Sequence, residues 1–300
     1  MKIRANNIDI EIEDTHPGDA SGRPVVLLIM GLGMQLVAWP PALVQALMDA
    51  GYRVVRLDNR DIGLSQKFDH LGQPNLVWAS LKYKLGLPVK SLYSLHDMAA
   101  DALAVLDVLQ IDKAHVVGVS MGGMIAQRVA LAAPARVLSL TSIMSSSGAR
   151  GLPQAEPHVM RVLLSRPAGK DLSSIMDHYV KLFKAIGSPG FPVDDAELRL
   201  RILAASERSF HPAGVTRQMM AIVADGRRAA ELAALRLPAL VVHGKADPLV
   251  PFACGEDTAR RIPGARLIGI EGMGHDLPAG VVERVLQPLI PHLNAAGTAR

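Results

Sequence analysis

Ser120 stands at the centre of Gly118-Val119-Ser120-Met121-Gly122, with a glycine two residues away on either side. Such a serine can be a nucleophile or only the small residue that a tight turn needs, and its flanks bear on the choice. Ala114-His115-Val116-Val117 before it reads as a buried parallel strand and Ile125 to Leu131 after it as a helix, so the serine lies on a strand-to-helix turn. A chain that leaves a strand and at once enters a helix strains its middle residue and tolerates almost no bulk two residues away, which gives both glycines a physical task. The turn lifts Oγ to the carboxyl edge of the sheet. It also leaves the N–H of Met121 at the helix N-terminus, where it can donate to an oxyanion.

A hydroxyl attacks poorly until a base takes its proton, and the base works best when a buried carboxylate fixes its tautomer. "VVHGKADPLVP" ends a strand with Asp247, and "GIEGMGHDLP" ends the last strand with His275. Each has a plainer reading: Asp247 before Pro248 could start a helix, and His275 could be a satisfied loop histidine. Asp276 reads as solvated. His16, His96, His115, His158, His178, His211, His243 and His292 have no Ser, Cys or metal-ligand spacing around them and read as structural or surface residues. Asp58, Arg60 and Asp61 read as a hydrogen-bonded turn at a strand end, and Cys254 as a small buried hydrophobe. Gly31 and Gly33 lack the following Lys-Ser/Thr pair of a phosphate loop.

Residues so far apart in the chain can meet only on a scaffold. Strands are expected at Val25–Ile29, Arg53–Leu57, His115–Val119, Val137–Met144, Ala239–His243 and Arg266–Ile270, and helices at Pro41–Ala50, Leu95–Leu109, Gly123–Ala132 and Val281–Leu293. This alternation builds a parallel sheet with helices on both faces, with its chemistry at the carboxyl ends of the strands. It breaks once. From Gly148 to Leu235 the chain turns helical (Glu156–Ser165, Ser173–Ile186, Asp194–Arg208, Ala213–Ala224, Arg227–Leu235), so residues 1–147 and 236–300 are expected to form the core and 148–235 an inserted helical cap above Ser120. The irregular stretch Gln66–Ser91, holding Trp78 and Tyr83 with Tyr93 just beyond, is expected to border the same cleft.

Residues 23–293 resemble a serine-dependent α/β-hydrolase, and more narrowly the group that contains aclacinomycin methylesterase. The likeness rests on "MGLG" with "AWP" downstream, "RLDNRDIGLS", "HVVGVSMGG" and "GMGHDLP", which agree with that group in order as well as type. The resemblance implies an α/β-hydrolase fold: a mostly parallel central sheet flanked by helices, with an inserted helical cap. It makes Ser120 the nucleophile, Asp247 the acid, His275 the base, and the backbone N–H groups of Leu32 and Met121 the oxyanion donors. The order Ser, Asp, His is the one this fold uses. Met30-Gly31 departs from the His-Gly of many members, which removes a polar side chain but keeps the backbone donor, and the segment Gln66–Ser91 is longer than in the methylesterase.

The activity implied is hydrolysis of a small-molecule carboxylic ester, with no metal or organic cofactor. Gly31, Trp39, Tyr179, Phe183, Val250 and Leu277 are expected to contact the substrate. The stripe Ile175, Met176, Tyr179, Val180 and Phe183 has helical spacing and reads first as packing within the cap, while Ile175, Tyr179 and Phe183, with Leu198, Ile202, Met219 and Ile222, bring apolar surface over the cleft. The cap is thus expected to set substrate choice while the core alone supplies catalytic geometry. Alternatives are a carbon–carbon bond hydrolase of the ring-cleavage type, which usually has Trp where this chain has Asp276, a cofactor-free perhydrolase, or a ligand receptor on a hydrolase fold. Epoxide hydrolases and dehalogenases would carry Asp at the elbow.

Composition narrows the field further. With 300 residues, 49% hydrophobic, the chain can bury one large core or a core with an inserted subdomain. "MKIRANNIDIEIEDTHPGD" alternates through Ile8, Ile10 and Ile12 like an antiparallel edge strand and has no apolar secretion signal. The apolar runs are shorter than about 18 residues, so no membrane span is expected. A lone cysteine, Cys254, makes no internal disulfide, and together these features point to the cytoplasm. The net charge of +4 is spread along the chain and aromatics are only 4%, which argues against nucleic-acid binding. The sequence leaves the oligomeric state open.

Overall fold

The apolar runs Val25–Ile29 (β3), Arg53–Leu57 (β4), Ala114–Val119 (β5), Val137–Ile143 (β6), Ala239–Gly244 (β7) and Arg266–Ile270 (β8) form the parallel part of the sheet in this computed structural model. The structure describes residues 1–298 apart from 20–21, 76–77, 80, 83–84, 86, 164, 166 and 170. Lys2–Ala5 (β1) and Ile8–Asp14 (β2) complete an eight-stranded sheet among the described residues, in the order β1-β2-β4-β3-β5-β6-β7-β8. β1 pairs with β2, and β2 with β4, antiparallel. The isoleucine-rich strand expected at the edge is therefore one place in. Its three isoleucines are buried, and β1 takes the outer position.

Strands as uniformly apolar as β3 must be covered on both faces. The Leu95–Val108 and Met121–Ala132 helices bury Met98, Ala102, Ile125 and Val129 on one side, and the Pro41–Asp49 and Ala279–Thr298 helices bury Leu43, Leu47, Val281 and Leu289 on the other. Ser94 starts the first of these with a capping box, accepting from Asp97 N–H while Asp97 accepts from Ser94 N–H. One core helix, Phe252–Arg261, was not expected. Its four charged residues among ten mask the buried face made by Cys254, Gly255 and Thr258.

The chain passes from β3 to β4 on one side and then crosses back to β5 on the other, so the order reverses between β3 and β5. Doubly wound sheets open a crevice at such a reversal, beyond the carboxyl ends of the strands. Ile29 stands level with Gly118, which brings the turns after β3 and β5 side by side.

Between β6 and β7 lie the Pro157–Leu163, Leu172–Ile186, Asp195–Arg208 and Pro212–Ala224 helices, then a short Arg228–Glu231 helix that tightens into a 3-10 turn at Leu232–Ala234. Asp171 and Asp194 cap the second and third by accepting from the N–H groups of Ser174 and of Ala196 and Glu197. Charge ties this insert to the turn after β4. Arg217 makes a two-pronged contact with Asp61 at 2.7 and 2.8 Å, both side chains being buried, and reaches Asp69 and the Gly72 carbonyl at 3.0 Å. Arg208 reaches Asp58 at 2.7 Å, and Asp58 also accepts from the N–H groups of Leu36 and Leu64. Burial opposes ionisation of Asp61, yet Arg217, the Phe68 N–H and Tyr93 hold its carboxyl below the usual carboxylate range. Removing one partner of a buried pair like this costs about 3–5 kcal/mol. Asp58 and Asp61 therefore serve the structure, as their turn setting indicates.

Candidate active site

Ser120 sits between β5 and the Met121–Ala132 helix with φ of 55° and ψ of −121°, a conformation that costs a residue with a side chain about 1–3 kcal/mol. Its surroundings impose it. The Ser120 N–H donates to the Ile143 carbonyl at 2.9 Å, and its carbonyl accepts from Ser145 Oγ at 2.7 Å and from the Gly123 N–H at 2.9 Å. A Cβ at Gly118 would lie 2.1 Å from the Gly122 oxygen, and one at Gly122 would lie 2.0 Å from the Ile29 oxygen. Both glycines are required by close backbone approach, and the strain they permit aims Oγ out of the sheet edge.

Asp247 and His275 meet it there. His275 Nε2 is 2.9 Å from Ser120 Oγ, and its Nδ1 is 2.7 Å from Asp247 Oδ2. A carboxylate only accepts, so the imidazole proton lies on Nδ1 and Nε2 is left to accept the serine hydrogen. Asp247 Oδ1 accepts the N–H groups of Leu249 and Val250 at 2.9 and 2.8 Å. Buried His243 donates from Nε2 to the Val250 carbonyl at 2.7 Å, and burial holds its pKa below the ordinary histidine value. The helix that follows begins only at Phe252 behind Pro251, so Asp247 shapes a turn without capping it.

The turn after β3 lies beside the serine. A Cβ at buried Gly31 would come within 3.2 Å of Ser120 Cβ, close enough that the serine would have to give way by a few tenths of an ångström. The Met34 N–H closes the turn on the Gly31 carbonyl at 3.2 Å, with Gly33 at a φ of 70°. Asn59 donates to the Met30 carbonyl at 2.9 Å, and the Gly33 N–H donates to Gln218 Oε1 at 3.0 Å. These contacts hold the turn where a His-Gly pair is missing. Met121 is the first residue of its helix, so its N–H has no acceptor within that helix. The N–H groups of Leu32 and Met121 thus belong to two neighbouring turns at the serine.

The substrate-contact residues are placed less evenly. Trp39 is fully buried in the core with Leu43, Leu47 and Met30, a correction to its expected place in the cleft, and the apolar environment that removes it from solvent also leaves its Nε1 without a partner. Tyr179 and Phe183 are half-buried on the Leu172–Ile186 helix, and the Tyr179 ring meets Phe210 edge-on at 6.3 Å, so the stripe packs within the insert. Val250 and Leu277 are half-buried beside Asp247 and His275, and Val250 acts through its backbone. Trp78 is 56% exposed, Tyr93 packs into the core beside Phe68, and Tyr83 lies outside the described residues.

Asp276 is not solvated. It is half-buried, accepts a hydrogen bond from Ser188 Oγ, and burial lifts its carboxyl above the ordinary carboxylate value. Ser188 and Gln218, both buried in the insert, touch the loops that carry His275 and Leu32, and sequence reasoning missed them. The one available signal for Gln218 was the polar run Thr216-Arg217-Gln218 interrupting an otherwise apolar helix. Among the described residues, no cluster of three or more His, Cys, Asp or Glu side chains is placed to hold a metal ion, and no helix is long and apolar enough to cross a membrane.

Residues 24–187 match the alpha/beta hydrolase fold family. This chain belongs to that family. Residues 222–288 of this alpha/beta hydrolase also match the TAP-like protein family. It is 33% identical over 299 residues to rhodomycin D methylesterase DauP of Streptomyces sp. (strain C5), and 32% identical over 299 residues to rhodomycin D methylesterase DnrP of Streptomyces peucetius, with 93% of both chains covered in each case. Both relatives are methylesterases by name, in keeping with the likeness to a methylesterase group drawn from the sequence motifs. A solved meta-cleavage product hydrolase from Pseudomonas fluorescens IP01 superposes with a TM-score of 0.74 at 20% identity, covering 99% of this chain and 98% of that one, a likeness of fold.

Proposed function

We propose that this alpha/beta hydrolase is a serine carboxylesterase acting on an apolar small-molecule ester, with the helical insert, residues 148–235, as its cap. The observation that carries the proposal is the hydrogen-bonded chain from Asp247 through His275 to Ser120, at 2.7 and 2.9 Å, ending on a serine held in a strained turn. Similarity to two methylesterases supports ester chemistry in particular.

Ser120 Oγ attacks the ester carbonyl carbon as its proton passes to His275 Nε2. The Asp247 carboxylate, already hydrogen-bonded to Nδ1, balances the charge that forms on the ring. The carbonyl oxygen becomes an oxyanion facing the N–H groups of Leu32 and Met121, donors fixed before the reaction begins and therefore without reorganisation cost. Collapse of the tetrahedral intermediate expels the alcohol, which takes the proton from His275 and leaves an acyl-serine. Water, deprotonated by the same imidazole, then releases the acid and restores Ser120. An uncharged substrate body suits the apolar residues that the sequence places on the insert, among them Leu198 and Met219, which are half-buried there.

A chromogenic short-chain ester tests this directly. Many turnovers per chain are expected. A single burst with a retained acyl group would instead indicate a ligand sensor on the same fold.

A further inference from the structure

The loop that carries His275 runs from the end of β8 at Ile270 to the start of the Ala279–Thr298 helix, and it contains Gly272 and Gly274. The two bonds of the His275 ring, to Asp247 and Ser120, aim the imidazole but do not hold the backbone beneath it. The core holds it as far as Met273, whose carbonyl accepts the Ala246 N–H at 3.0 Å, and from Gly274 onward it is held from the insert. At the end of the Leu172–Ile186 helix, the Ile186 carbonyl accepts the His275 N–H at 2.7 Å. Ser188, 4% exposed, accepts the Gly274 N–H at 2.8 Å and donates through the same oxygen to Asp276 Oδ1. Two residues on, the Gly190 N–H donates to the Gly272 carbonyl at 2.9 Å. The two strips lie so close that a Cβ at Gly274 would be 2.3 Å from the Gly187 oxygen, and one at Gly190 would be 2.9 Å from Gly272 Cα.

We propose that Ser188 and Asp276 form a clasp through which the insert positions the His275 imidazole, making the insert a working part of the proton-transfer apparatus as well as a cover for the substrate. The proposal rests on the serine-esterase mechanism above. Each residue from Gly274 to Asp276 has a partner on the 186–188 strip, so the backbone on both sides of the imidazole is fixed to the insert. Ser188 is a positioning residue: it touches neither substrate nor reacting atoms. Without its hydroxyl, the Gly274 N–H and the half-buried Asp276 carboxyl each lose a partner, and the loop can relax by the fraction of an ångström to which proton transfer is sensitive.

Ser188→Ala, Ser188→Thr and Asp276→Ala are compared with wild type on a p-nitrophenyl ester, with competent sites counted by fluorophosphonate titration. In Ser188→Ala, kcat per titrated site should fall about 10- to 100-fold with KM within about threefold, and one Ser120 per chain should still be labelled, only more slowly. Ser188→Thr, which keeps the hydroxyl, should recover most of the loss. A merely structural role gives the opposite pattern, fewer titrated sites that each turn over at the wild-type rate, and that result overturns the clasp. Where Ser188→Ala does not fold, Asp276→Ala reads the same kcat, and a wild-type value per site again overturns the clasp. The mechanism itself fails separately, in the wild-type enzyme, where Ser120 would remain unlabelled.

Discussion

Asp247 has two tasks at once, since Oδ2 orients His275 while Oδ1 gathers the N–H groups of Leu249 and Val250. Replacement by asparagine separates them. Its oxygen can still accept from the turn, but its amide would present a donor to the Nδ1 donor and so favour the wrong imidazole tautomer, with no charge to balance the ring in the transition state. Asp247→Asn should therefore lower kcat about 10²- to 10⁴-fold while leaving thermal unfolding near wild type, as steady-state ester turnover and calorimetry will show. An unimpaired kcat would mean that another acid serves the histidine. At this scale the sequence was most legible where chemistry dictates type and spacing: Ser120, Asp247 and His275 sit in loops whose neighbours mark them. Trp39 was misplaced because a tryptophan six residues past Gly33 reads the same whether its ring faces a cleft or the core, and only packing against Leu43 and Leu47 decides it. Asp276 looked solvated because its partner, Ser188, is remote in sequence.

The elements came through well where period and apolar content carry them. The strands β3, β4 and β8 have the expected bounds, and the four longest helices of the insert fall within two residues of theirs at most ends. What the sequence could not supply was the polar traffic between elements, because hydrogen bonds between a helix and a distant turn leave no local pattern. Gln218 is the clearest case. Fully buried on the Pro212–Ala224 helix, it accepts from Gly33 and donates to the Arg60 carbonyl at 2.8 Å, tying the turn that carries Leu32 to the turn after β4. Gln218→Met keeps the shape and removes both bonds. It should lower kcat about tenfold or more through a loosened oxyanion turn, with little change in KM. Ester kinetics corrected for titrated sites provides the check, and a rise in KM at constant kcat would assign Gln218 to substrate binding instead.

Over the whole molecule, buried ionisable groups set the response to acid. Burial pushes His115 on β5 down to about 4, and also holds His243 and His292 below the ordinary histidine value. Each is neutral in the fold but takes up a proton near pH 6.5 once unfolded, so stability should be full above that pH and decline between about 6.5 and 4, His115 alone accounting for roughly 3 kcal/mol. Urea midpoints measured across that range should fall with pH, and His115→Asn, which keeps a polar group near Ser139, should flatten the slope. An unaltered slope would remove His115 from the account. The central claim concerns Ser120, and its most direct test is peptide mapping of the enzyme after inactivation by a fluorophosphonate. One adduct per chain, on Ser120, appearing in step with the loss of ester turnover, is the predicted result; inactivation with the adduct elsewhere, or a labelled Ser120 in a chain that still turns over ester, would contradict it.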